Sequence, residues 1–500
     1  MRRISVWWVV SMLAALSPGV ASGQTRLIDA IKSGIVSDIR SLLQQSVDVN
    51  SREVDGTTAL HWAVHHDDVT TVALLIRAGA DVNVANRYGV MPLSVACTNG
   101  NADTINLLLQ AGADPNASFP GGETALMTVA RSGNAAAVRA LLANGADPNR
   151  RERTRGQTAL MWAAAAGNAA VIKVLVDGGA DFRIRSTEPT SVAQEFKPAR
   201  AIYQRNYARR GRIDSLSPLL FAVRGGHINA VEALLHAGAD INDTATDGTS
   251  ALVMAILNAH YELAALLLDK GAQANAAVQG WTALHQVARM RTLALHRFPL
   301  PVPTGRVSTI DLAKKLMTHG ADVNARMTKP IRDTYPGSTG SGDTPMLLAA
   351  KGADAELMRL LAANGADPLL TNESGTTVLM AAAGIEMSTG TNEEAAAAVK
   401  FGLELGIDVN AINKGGDTAM HGAALRGSNA IVQTLVDNDA KIDMKNKKGY
   451  TPLQVANGDE PSAVGVERRP WTVEFLRKLL TDRGLSTEVC EDCHLLVAPR

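Results

Sequence analysis

Large rings are scarce in this chain of 500 residues: aromatics make up 4% while hydrophobic residues reach 46%. The core must therefore be built from Ala, Leu and Val, a composition that suits thin layers of short helices. Net charge is missing too. Lys plus Arg and Asp plus Glu both number 49, so no global field steers the chain to nucleic acid or to an anionic membrane, and any charged partner must meet a local patch. Cysteine occurs three times, so the placement of each thiol carries information. Beyond the N-terminus no apolar run is long enough to span a bilayer.

The N-terminus reads Met1-Arg2-Arg3, an apolar run from Ile4 to Leu16, Pro18, and the small residues Ala21-Ser22-Gly23. This is the pattern of a secretory signal peptide over residues 1–23 with cleavage after Gly23. The run is shorter than the roughly 20 residues of a membrane anchor. The residues after Arg2-Arg3 do not continue a twin-arginine motif, so general secretion is expected. The mature chain is then periplasmic or secreted, with no membrane insertion after cleavage.

What is present is a repeat. Gly-x-Thr-Ala-Leu and its variants recur with the Thr-equivalent position at Thr58, Met91, Thr124, Thr158, Ser217, Ser250, Thr282, Thr344, Thr377, Thr418 and Thr451. The spacing is 32 to 34 residues, with three longer intervals of 59, 62 and 41. Units close on phrases such as Ala78-Gly79-Ala80-Asp81-Val82-Asn83 and His319-Gly320-Ala321-Asp322-Val323-Asn324. A fixed period of this size means a repeat array. Within Val69 to Ile76, the residues Val69, Val72, Ala73 and Ile76 fall at the i, i+3, i+4, i+7 spacing of one buried helical stripe. Gly79 follows, where a helix C-terminus favours positive φ, and Thr at the head of an inner helix can cap a free amide.

These residues resemble the ankyrin repeat, whose pattern runs Gly-x-Thr-Pro-Leu-His-x-Ala, a second helix, then Gly-Ala-Asp-x-Asn. Thr57 to Ala63 is a close match. The resemblance covers Leu27 to Gly484, about 12 repeats with a degenerate first unit at Leu27 to Val49. It implies an all-α solenoid of helix-turn-helix repeats with short β-hairpin loops over residues 24–484. Insertions are expected near 186–215, 298–305, 330–342 and 384–394. The first is basic, carrying Lys197, Arg200, Arg205, Arg209, Arg210 and Arg212.

The resemblance also implies an interaction scaffold that binds a protein through the concave face formed by hairpin tips and inner helices, and no enzyme activity. Carried over by position, the candidate binding residues are His65 and His66, Tyr88, Arg155, Trp281 and Tyr450. With them come Val54, Asp55, Thr57, Arg87, Val90, Thr154, Gln157, Lys447 and Lys448. Aromatics at exposed tips are the type enriched in hot spots, with packing on the adjacent hairpin as the alternative, and Arg150 to Arg155 is either a solvated charged tip or, together with the basic insertion, a patch for an acidic partner. Trp62 and Trp162 sit at the variable inner-helix position, where packing between repeats accounts for them. His61, His285 and His421 occupy the structural histidine of the Thr-x-Leu-His signature. The 11 histidines are otherwise scattered, and no phosphate loop, nucleophile elbow or zinc-protease helix occurs.

Residues 485–500 break the repeat. Cys490-Glu491-Asp492-Cys493-His494 resembles the c-type haem attachment motif, in which two thiols bond the vinyl groups and the histidine ligates iron. A covalent haem c held by Cys490, Cys493 and His494 is one reading, in keeping with export from a bacterial cytoplasm. A Cys490–Cys493 disulfide or redox pair is another, and a remnant of a longer fusion a third. Only six residues follow His494, and no local fold can bury a porphyrin. A zinc site needs two further close ligands. Cys97 is expected simply to pack.

Overall fold

The computed structural model describes residues 26–45, 47–119, 121–187, 215–292, 302–303, 305–329, 342–386, 390–460 and 468–489. Among these, the chain is all-helical, with 24 helices in twelve pairs. They run α1 (Arg26–Ser33), α2 (Val36–Gln44), α3 (Ala59–His65), α4 (Val69–Arg77), α5 (Pro92–Asn99), α6 (Ala102–Gln110), α7 (Ala125–Ser132), α8 (Ala135–Ala143), α9 (Ala159–Ala166) and α10 (Ala169–Asp177). There follow α11 (Pro218–Gly225), α12 (Ile228–His236), α13 (Ala251–Leu257), α14 (Tyr261–Asp269), α15 (Ala283–Thr292), α16 (Thr309–Thr318), α17 (Pro345–Lys351) and α18 (Ala355–Ala363). The last six are α19 (Val378–Ala383), α20 (Asn392–Glu404), α21 (Ala419–Arg426), α22 (Asn429–Val436), α23 (Pro452–Asn457) and α24 (Pro470–Thr481).

Two compact units emerge, one of residues 1–163 and 170–181, the other of 164–169 and 182–500. In the first, inner helices α1, α3, α5 and α7 pack in series, as do outer helices α2, α4, α6 and α8. In the second, the inner series runs α11, α13, α15, α17, α19, α21 and α23. No pair buries its own apolar face, so stacking on neighbours supplies the core.

Inner helices are buried almost all round: Ala59, Leu60, Ala63 and Val64 on α3 are inaccessible, and every residue of α13 is buried. Outer helices bury a stripe, but not the one expected on α4. Thr71, Val72 and Leu75 are buried there, while Val69, Ala73 and Ile76 are half-buried. The stripe is shifted because Thr71 turns inward, its amide donating to Asp68 Oδ1 at 3.0 Å and its hydroxyl to Asp68 Oδ2. A capped polar residue thus occupies a core position that apolar counting assigns to its neighbours.

The Asp-x-Asn phrase closing each unit has a mechanical role. Asn83 donates from Nδ2 to Gly112 O (2.8 Å) and accepts at Oδ1 from Asp114 N (2.8 Å). Asn50, Asn116 and Asn149 repeat this in the first unit, and Asn275 and Asn324 in the second. Each such amide satisfies a helix-terminal carbonyl and a loop N–H of the next repeat. Leu369 stands at the asparagine position of its repeat and is 65% exposed.

The hairpin loops are reduced to isolated antiparallel bridges, Arg52 with Thr58, Ser118 with Thr124 and Thr244 with Ser250. Adjacent tips are joined by main-chain bonds, as where Lys447 N donates to Gly415 O at 2.8 Å. Gly416 has φ +79°, and a Cβ there would lie 2.8 Å from Lys447 N, so only glycine fits this approach.

Insertions leave closed bases. Ser186 N donates to Leu216 O (3.0 Å), and Met327 N donates to Asp343 O (2.9 Å). Ahead of α24, Arg469 N donates to Ala456 O at the end of α23 (2.9 Å). The expected signal segment 1–23, the interior of the basic insertion, most of 298–305 and 330–342, and Cys490, Cys493 and His494 lie outside the described residues.

Candidate functional site

The three signature histidines are structural. His61 Nδ1 accepts from Thr58 N (3.2 Å), and Nε2 lies 3.0 Å from Val90 O of the next repeat. His285 and His421 make the same pair of contacts, to Asp343 O and Tyr450 O. This geometry calls for a neutral ring with the proton on Nε2. Burial depresses all three, His285 to about 4.

In the first unit the face made by finger loops and inner helices carries an aromatic and cationic cluster. Trp62, His65 and His66 are spaced i, i+3, i+4, so one side of α3 presents three rings. Trp62 meets His65 edge-on at 5.7 Å and stacks with His66 at 6.1 Å. The indole Nε1 donates to Glu53 Oε2 at 2.7 Å, while Lys32 from α1 lies 4.5 Å above the ring and 2.5 Å from Glu53. The histidines are exposed and Trp62 is half-buried. Sequence reasoning assigned Trp62 to packing, although the 62, 65, 66 spacing already placed it beside both histidines.

The tips extend this face. Val54 is 91% and Tyr88 66% exposed. Asn86 Oδ1 accepts from Tyr88 N and Val90 N, both at 3.0 Å, and Arg87 N donates to Asp55 O at 2.7 Å, which fixes the Tyr88 tip to its neighbour. In the 150–155 run, buried Glu152 is consumed by its own turn, accepting from the amides of Thr154, Arg155 and Gln157 at 2.6 to 3.0 Å. Arg150, Arg151, Arg153 and Arg155 stay exposed around it. Thr57, by contrast, is buried.

Trp281 is not an exposed tip. It is half-buried with its indole Nε1 enclosed, and its carbonyl accepts from Gln279 Nε2 at 2.5 Å. Tyr450 is half-buried as well, its carbonyl tied to His421, while Lys447 and Lys448 are exposed. The structure thus brings His65 and His66 together, and spreads Tyr88, Arg155, Trp281 and Tyr450 over separate repeats.

The second unit buries charge on the equivalent helix face. Lys351 Nζ lies 2.7 Å from Asp343 and 2.5 Å from Glu386, with the lysine and Asp343 side chains fully enclosed. Asn372 Nδ2 donates to Asp343 Oδ1 (3.0 Å) and Glu386 Oε2 (2.8 Å), and Thr376 Oγ1 to Glu386 Oε1 (2.7 Å). Burial pushes Asp343 above the usual carboxylate range. Burial also works against Glu386, but Lys351, Thr376 and Asn372 more than offset it and hold that carboxyl below its ordinary value. Cys97 is buried among apolar atoms, its thiol pushed up to about 12 by desolvation. Among the described residues no group of three or more His, Cys, Asp or Glu could hold a metal ion, and no helix is long and apolar enough to cross a membrane.

Stacked helix pairs with fixed finger tips and no enclosed reaction centre among the described residues define a repeat scaffold. Family models for "Ankyrin repeats (3 copies)" match residues 27–119, 93–186 and 212–297, one for "Ankyrin repeats (many copies)" matches 403–456, and "Ankyrin repeat" matches 341–373. Together they cover more than half of the chain, which belongs to the ankyrin-repeat family. It is similar to human ankyrin repeat and SOCS box protein 16, at 27% identity over 270 residues, 54% of this chain and 52% of that one. A Caenorhabditis elegans homologue of transient receptor potential cation channel subfamily A member 1 is 37% identical over 115 residues, 23% of this chain and 9% of its own. Putative ankyrin repeat protein FPV031 of fowlpox virus is 33% identical over 150 residues, 30% and 37%. The chain spans about half the length of the human relative. Repeats and relatives alike point to a scaffold for protein–protein interaction.

Proposed function

We propose that this chain is an exported scaffold that captures a protein partner on the finger and inner-helix face of its first unit. The observation that carries the reading is the Trp62, His65, His66 cluster, held in place by Glu53 and Lys32 beside the exposed Tyr88 and Val54. Large rings positioned by their own polar partners lose little freedom on binding, which is what a hot spot requires. Exposed arginines at 150–155 favour a partner with acidic groups. A Tyr88→Ala/His66→Ala variant should retain its circular dichroism and thermal midpoint yet lose at least tenfold in affinity for a partner captured by the wild type. Unchanged affinity would refute the assignment of this face. Export is tested by N-terminal sequencing of protein recovered outside the cytoplasm, expected to begin at Gln24.

A second reading is favoured by Cys490-x-x-Cys493-His494 in a chain with three cysteines: a covalent haem c that adds electron transfer or haem sensing to the scaffold. Thioether bonds survive denaturation, so a haem-stained band on a denaturing gel should appear for wild type from a host competent in c-type maturation and vanish in Cys490→Ser/Cys493→Ser. Free thiols or a disulfide in wild type from that host would refute it.

A further inference from the structure

The buried lysine network of the second unit has a partial copy two repeats further on, and the copy lacks its lysine. Counted from the marker threonines, Asp343 precedes Thr344 by one as Asp417 precedes Thr418; Asn372 precedes Thr377 by five as Asn446 precedes Thr451. Glu386 and Glu460 each follow those second markers by nine. The contacts repeat with the positions. Asn446 Nδ2 donates to Asp417 Oδ1 at 2.9 Å and to Glu460 Oε2 at 3.2 Å, as Asn372 does to Asp343 and Glu386. Lys351, seven residues after Thr344, bridges the first pair; seven after Thr418 stands Leu425, 47% exposed.

Where the lysine is missing, the groove opens into a cavity of about 680 Å³ lined by Ile385, Leu425 and Val455 together with Glu386, Asp417 and Glu460. Glu373 and Lys414 stand on its rim, and His421 on its wall. Lys448 reaches Glu460 Oε1 from the next finger at 2.6 Å, and Asn413 Nδ2 lies 3.4 Å from Asp417 Oδ2. Of the four carboxylates in the lining, Glu386 already pairs with Lys351 and Glu460 with Lys448, while Asp417 is held by the amides of Asn446 and Asn413 and meets the apolar floor, a setting that fits an alkyl stem ending in a positive charge.

We propose that the cavity at Asp417 and Glu460 receives the ammonium group of a lysine side chain carried by a bound protein segment, in the place that Lys351 fills internally two repeats earlier. The ammonium donates charge-assisted hydrogen bonds to both carboxylates while its methylenes lie on Ile385, Leu425 and Val455. The proposal rests on the scaffold reading but uses residues of the second unit and none of the Trp62 cluster.

The test is fluorescence anisotropy of the full chain with a fluorescein-labelled ten-residue peptide of alternating glycine and lysine, and with the same peptide Nε-acetylated. The lysine peptide should bind and the acetylated one should not. Leu425→Lys supplies the missing ammonium and should lower affinity about tenfold, as should Glu460→Gln, with circular dichroism unchanged. Ala430→Lys, which adds the same charge to exposed outer helix α22, should leave affinity intact. Equal binding of the acetylated peptide, no effect of either site variant, or an equal loss in Ala430→Lys would overturn the proposal. Trp62→Ala should leave the lysine peptide bound, so loss of partner capture there without loss of peptide binding separates failure of one reading from failure of the other.

Discussion

Equivalent helix positions serve opposite ends in the two units. Four, seven and eight residues after its marker threonine, the first unit places Trp62, His65 and His66, half-buried or exposed. The second places Gln286 and Arg289 four and seven residues after Thr282, and Lys351 seven after Thr344, all buried. Arg289 donates to Gln286 Oε1 at 3.3 Å, and Lys351 closes the Asp343, Glu386 network. One backbone site thus presents its side chain to water in the first unit and carries a structural keystone in the second. Repeat geometry fixes where a side chain is; burial decides what it does.

The sharpest way to break this contrast is Lys351→Met. Removing the cation leaves Asp343 and Glu386 buried without it, and about 3–5 kcal/mol of stability should be lost. Urea denaturation followed by circular dichroism would show it, and a loss below about 1 kcal/mol would place the triad with surface pairs. His285 comes next. Its pKa of about 4 lies below the 6.5 of the unfolded chain, so the unfolded state binds the extra proton. Its stabilising contribution is complete above pH 6.5 and lost as pH falls from 6.5 towards 4, on the order of 3 kcal/mol. His285→Gln should flatten that part of the stability–pH curve.

In the first unit, Trp62→Ala should weaken partner capture by about 1–3 kcal/mol while shifting the thermal midpoint only slightly; a larger loss of folding than of binding would make this ring structural as well. Trp281→Ala, at a half-buried ring, should reverse that order. The smallest effect is expected from Leu369→Asn, which restores the missing amide at the loop of α18 and should add about 0.5–1 kcal/mol. No gain in the denaturation midpoint would show that the next repeat offers no matching carbonyl and N–H.

The repeat comb was legible because each unit restates the same few constraints: a cap at the inner helix, glycine at the turn, Asp-x-Asn at the close. Twelve helix pairs follow from eleven markers and the degenerate Leu27 unit. Side-chain direction was less legible. On α4 the apolar residues Val72 to Ile76 run without a break, so periodicity could not show that Thr71 points inward and Ile76 only half so. Trp281 reads as a tip by position, yet it is half-buried and its indole nitrogen is enclosed. The Lys351 network was invisible for a different reason: its members are 8 to 43 residues apart, and a lysine at a helix end reads as solvated until the fold buries it.

The asparagine that closes each unit also sets how such a chain can change length. Where it is present, its amide gives one bond forward to a carbonyl and takes one from an N–H of the following unit, so those junctions present the same socket and the same plug, while Arg183 and Leu369 interrupt the series. A whole unit can be duplicated or removed between two such junctions and both halves still mate, whereas a cut through the middle of a unit leaves an unmatched amide at each end. Rearrangement in steps of about 33 residues is the change in length that such junctions would accommodate.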